Sequence, residues 1–73
     1  MREMIAVFKS RRDAIAFSMA MNRKGVRVQT VGTPASVGSS CGLSVRFSAQ
    51  ALGLARMVLS YGEYQSFRGF YEI

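Results

Sequence analysis

Seventy-three residues are read as one domain, residues 1–73, and an apolar fraction of 49% against 19% charged argues against disorder. Ten basic residues, eight of them arginine, face four acidic ones for a formal charge of +6. That balance favours anionic partners: nucleic acid, phosphates, an acidic protein or an anionic sulfur species. With no histidine and one cysteine, Cys41, the chain excludes imidazole triads, Cys-x-x-Cys redox pairs and His or thiolate metal clusters.

In chain order, Met4-Ile5-Ala6-Val7-Phe8 reads as a strand. Ser10 with Asp13 three residues on forms a capping box with Asp in place of Glu, opening a helix from about Arg11 to Arg23. Ala14, Phe17, Ser18 and Met21 fall on one face of it, with Ile15 and Met19 flanking. Arg23 and Lys24 suit its last turn, and Gly25 is the predicted C′ stop. Val26 to Val31 alternates as a half-buried strand whose pattern shifts at Thr30.

Gly32 to Gly42 is a loop of small and turn-forming residues. Leu43 to Phe47 alternates again, with Ser44 and Arg46 outward. Ser48 caps a second helix, roughly Ala49 to Tyr61, with Leu52, Ala55, Val58 and Leu59 inward. Gly62 ends it, and Phe67 to Ile73 is a last strand interrupted by Gly69.

The order β-α-β-β-α-β predicts an α+β fold. The economical form is the split β-α-β (ferredoxin-like) sandwich, a four-stranded antiparallel sheet with both helices on one face. In that topology the first and second strands run the same way, which sets the Cys41 loop beside the start of the first helix with Lys9, Arg11 and Arg12. Strand alternation leaves either Ile5 and Val7 or Met4, Ala6 and Phe8 on the face without helices. An apolar exposed face there would invite a homodimer. No apolar run approaches the roughly 20 residues that span a bilayer. No secretory signal is evident, so the expected location is cytoplasmic, with no membrane partner.

Cys41 is the one nucleophile in a suggestive setting. Ser39, Ser40 and Gly42 surround it, and such a loop turns N–H groups and hydroxyls toward an anion. A nearby helix N-terminus and arginines favour a thiolate, and Gly42 leaves room for a second molecule to approach. The bland alternative is a small residue packed at a strand start. On residues alone that alternative is the heavier of the two, and the length of the loop shifts weight back toward function. Gly38-Ser39-Ser40-Cys41-Gly42 is not a Walker loop, because no Gly-Lys-Ser/Thr follows. Glu3, Asp13, Glu63 and Glu72 are scattered, which leaves an acid–base hydrolase without its pair. The outward positions of Leu43–Phe47 carry no aromatic, so an RRM-type RNA surface is missing, though a basic RNA-binding domain of another style stays open.

Thr33-Pro34 followed by Ser39-Ser40-Cys41-Gly42-Leu43-Ser44-Val45-Arg46-Phe47 resembles the hallmark of the selenium/sulfur carrier-like family of small bacterial and archaeal proteins. Phe8-Lys9-Ser10 before Asp13-Ala14 and the ending Tyr71-Glu72-Ile73 are similar too. The departures are Gly32 and Ala35 around Thr-Pro, Gly38 for a common Ser, and Ser18 where an acid is often found.

The resemblance implies a carrier rather than an ordinary enzyme. Cys41 would accept sulfur or selenium as a persulfide or selenosulfide from a donor protein and pass it to an acceptor. Ser39, Ser40 and Gly42 would hold the anion, with Arg11, Arg12 and Arg46 adding positive field and neither cofactor nor metal required. The other reading is a binding module for RNA or an acidic protein in which Cys41 only packs.

Overall fold

The computed structural model describes residues 2–33 and 42–73. The chain runs β1 (Glu3–Phe8), α1 (Arg11–Arg23), β2 (Gln29–Gly32), β3 (Leu43–Ser48), a 3₁₀ turn (Ala49–Ala51), α2 (Leu52–Tyr61) and β4 (Phe67–Glu72). The four strands form one sheet in the order β2-β3-β1-β4, antiparallel at every pairing. β3 therefore lies between β1 and β2, which run the same way, and the architecture is the split β-α-β sandwich expected from the order of elements.

Helix α1 forms where local signals place it. Ser10 is its N-cap and accepts from the Asp13 N–H. At the other end, Gly25 takes φ +84°, the Val26 N–H bonds the Met21 carbonyl and the Gly25 N–H bonds the Asn22 carbonyl. This is a full Schellman motif, and Val26 packs back on the core. Its buried residues are Ala14, Phe17, Ser18 and Met21. Ser18 is satisfied there by donating to the Ile15 carbonyl at 2.7 Å.

The core lies between the helices and the sheet face that carries Met4, Ala6, Phe8, Val45 and Phe47. Phe8 is its centre, with ring centroids 5.2 Å from Phe17, 5.5 Å from Phe67 and 5.9 Å from Tyr64. These separations suit tilted and edge-on aromatic pairs.

Three features differ from the sequence-based expectation. The second strand is shorter: Val26 and Val28 turn onto the core, and pairing begins only at Gln29. The alternation shifts at Thr30 because Val31, opposite Ser44, belongs to the other face. The second helix begins with a 3₁₀ turn, Ser48 accepting from the Gln50 N–H, before α2 proper. In β4 the register shifts opposite Val7 and Phe8, so Arg68 is an extra residue and Gly69 takes φ +138°.

Ile5 and Val7 lie on the face without helices, but they are only 0% and 4% exposed. Tyr71, opposite Ile5, lays its ring 3.5 Å from the place a Cβ of Gly69 would occupy, and Gly69 is the partner of Val7. No helix among the described residues is long and apolar enough to cross a membrane.

Candidate functional site

The end of β2, the start of β3 and the turn after β1 meet at one edge of the sheet. Gly32 pairs with Leu43, and Leu43 pairs with Phe8, so the three strand ends line up side by side. Gly42, which follows Cys41 in sequence, passes directly against the turn from β1 into α1. A Cβ there would overlap the Phe8 carbonyl oxygen and come within 3.2 Å of the Lys9 Cα, both backbone atoms that cannot swing away. Glycine is needed at position 42 for this close approach and not for a positive φ.

Two hydroxyls fix the residues that flank 34–41. Thr33 Oγ1 donates to the Gly42 carbonyl at 3.0 Å. Its one proton is spent there, so the 2.9 Å contact with Ser44 has the Ser44 hydroxyl donating to Thr33. Ser44 is fully buried on the face without helices, and this bond satisfies it.

The start of α1 is held by a second polar network. Ser66, just before β4, donates from its hydroxyl to Asp13 Oδ2 at 2.6 Å and from its N–H to the same oxygen at 3.1 Å. The Ser66 hydroxyl accepts from the Ser10 N–H at 3.0 Å, and the Lys9 N–H donates to the Ser66 carbonyl. In a capping box the third residue would bond the Ser10 N–H itself. Asp13 has one methylene fewer than Glu, and here the link runs through Ser66. Asp13 also bears on Tyr64, whose hydroxyl pKa is raised, first by burial and then by the Asp13 charge.

Lys9, Arg11 and Arg12 stand exposed at this edge, and among the described residues none of them forms an ion pair. Arg46 belongs elsewhere. It lies four residues along β3 from Gly42, roughly 13 Å, and is ion-paired with Glu3. There it helps line an open groove of about 520 Å³ with Glu3, Arg27, Gln29 and Ser48, at the opposite end of the sheet.

Ser39, Ser40 and Cys41 lie outside the described residues. Gly42, Arg11 and Arg12 are brought to one edge, while Arg46 is set apart. Sequence reasoning overlooked Ser66 and the bonding role of Ser44. Ser66 carries no local signal, being 53 residues from Asp13. An outward Ser in an alternating strand gives no hint that its face is covered. Among the described residues no three of His, Cys, Asp and Glu gather as metal ligands.

The family model described as "Putative Se/S carrier protein-like" matches residues 3–72. No curated protein and no solved structure matches the chain.

Proposed function

The chain belongs to the Se/S carrier protein-like family, and on that premise we propose that Cys41 is the carrying atom, taking sulfur or selenium from a donor protein and yielding it to an acceptor. The observation that supports this reading most is the packing of Gly42 on the Phe8–Lys9 turn, which ties the residue after Cys41 to the edge bearing Lys9, Arg11 and Arg12. Positive charge and a helix start beside a thiol stabilise its thiolate.

The Cys41 thiolate attacks the outer sulfur of a donor cysteine persulfide. The new S–S bond forms on Cys41 as the donor's S–S bond breaks, and the donor leaves as a thiolate. No net oxidation occurs, because one S–S bond replaces another; the outer sulfur is attacked in its protonated form and loses that proton once it is on Cys41. An acceptor thiolate then attacks the same outer sulfur, and Cys41 leaves as a thiolate. The selenium version is the same exchange with selenium as the outer atom. Ser39, Ser40 and Gly42 hold the terminal anion, and Arg11 and Arg12 supply field. Arg46, neutralised by Glu3, stands outside that set. With one cysteine in the chain the adduct cannot collapse into an internal disulfide and waits for an outside thiol.

Incubation with a cysteine desulfurase and free cysteine, followed by mass spectrometry without reductant, leaves one added sulfur on the wild type and none on Cys41→Ser. A wild type that stays unmodified with several such donors overturns the reading in favour of a packed cysteine.

A further inference from the structure

We infer that the outer face of α1 is a docking surface for an acidic protein segment. The inference is independent of the persulfide reading, since it needs no chemistry at Cys41.

Ile15 and Met19, one helical turn apart, are 47% and 53% exposed on α1. Arg12 precedes them by three residues and Arg23 follows by four, so the four side chains share one stripe. Ala16 and Arg11, also exposed, border it. From Arg12 to Arg23 the stripe is roughly 16 Å long, enough for about three turns of a partner helix or a short extended segment.

Charge selects the occupant. Asp13 is the only acid in α1, and its carboxylate is turned to Ser66, away from this stripe. Glu3 and Glu72 are engaged on the sheet side by Arg46 and Arg2. Glu63 is exposed in the turn that follows α2 and forms no ion pair with a described residue. Among the described residues, then, nothing acidic neutralises Arg11, Arg12 and Arg23, and an acidic partner meets uncompensated charge.

Arginines around an aliphatic and methionine centre match the make-up of a protein interface, and Met adapts to varied partners. Single-stranded nucleic acid is held by stacking on aromatics, and the one aromatic of α1, Phe17, is fully buried in the core. A stripe of this size fits a small, transient contact. Its first turn lies three residues beyond Lys9, against which Gly42 packs, so a partner lying along α1 ends beside the Gly42 edge.

The test uses the whole chain, isotope-labelled, titrated with a synthetic amphipathic peptide bearing Glu on one face and Leu on the other. A matched peptide with Gln for Glu and a mixed-sequence RNA oligomer form the other arms. The expected result is that amide shifts gather on residues 12–23 with the Glu peptide only and weaken with added salt. Arg12→Glu with Arg23→Glu, and separately Ile15→Ser with Met19→Ser, each weaken binding about tenfold. Their circular dichroism stays that of the wild type, because all four side chains are exposed. Cys41→Ser binds as the wild type does. Shifts that gather on the Arg27–Arg46 groove, equal binding of the Gln peptide, or tighter binding of the RNA to α1 each overturn the inference.

Discussion

The two ends of the β1–β3 pair handle charge in opposite ways. Where β1 starts and β3 ends, each acid has its arginine: Glu72 with Arg2 at 3.1 Å and Glu3 with Arg46. Where β1 ends and β3 starts, the acid is spent on a serine: Asp13 bonds Ser66, and Lys9, Arg11 and Arg12 keep their charge unpaired among the described residues. A net charge of +6 cannot say where field is available; pairing can. At the first end both acids are paired, although Arg27 in the groove keeps its charge, and the second is the end to which the chain returns at Gly42 after Cys41.

The largest expected effect tests how tightly that second end is built. Gly42→Ala forces a methyl onto the Phe8 backbone and costs about 1–3 kcal/mol, as overpacking does. Gly32→Ala, beside it in the sheet, meets nothing within 4 Å and stays within about 0.5 kcal/mol of the wild type. Urea denaturation of both variants checks this. Equal midpoints would show that the close approach at Gly42 carries no energy.

Next in size is the serine bridge. Ser66→Ala removes the partner of the Ser10 N–H and one of the two hydrogen bonds to Asp13 Oδ2, in a part-buried place. The expected loss is about 1–2 kcal/mol. Ser60→Ala, on an exposed hydroxyl that bonds only the Met57 carbonyl, serves as the control and changes little. Hydrogen exchange of the first α1 turn should quicken in the Ser66 variant alone.

These contacts also mark what the sequence could disclose. The capping serine, the Gly25 stop and the buried face of α1 were legible because each depends on neighbours within one or two helical turns. The strand order followed from counting crossovers, since a helix between β1 and β2 leaves room for β3. Ser66 with Asp13 and Arg46 with Glu3 were not legible. They join residues 53 and 43 positions apart, and a serine or an arginine on a surface has many equivalent partners before the chain folds. Arg46 is five residues from Cys41 in sequence, but an extended strand carries it away from Gly42 at about 3.3 Å per residue.

That separation can be tested through Cys41 itself, with a smaller effect. On the proposed carrier reading, replacing Arg11 and Arg12 together by Ala slows alkylation of Cys41 at neutral pH, because cations that favour a thiolate are lost. Arg46→Ala leaves the alkylation profile in place, since its charge already belongs to Glu3. The comparison between the two ends fails if Arg46→Ala shifts the profile as much as the double variant does.

The smallest effect is a pH dependence at the closed-in start of α1. Burial among Phe8 and Phe17, with the Asp13 charge added, raises the Tyr64 pKa above its ordinary value of 10.0. The folded chain therefore keeps this proton at a pH where the unfolded chain has begun to lose it. Whatever stability this proton represents is fully present below pH 10 and is lost as pH rises through the folded value. Denaturation midpoints taken from pH 9 upward should fall more steeply for the wild type than for Tyr64→Phe, which has no proton to lose there. Asp13→Asn, which removes the charge but not the burial, should fall between them. If all three fall with one slope, neither the burial of Tyr64 nor its neighbour Asp13 governs the alkaline limit.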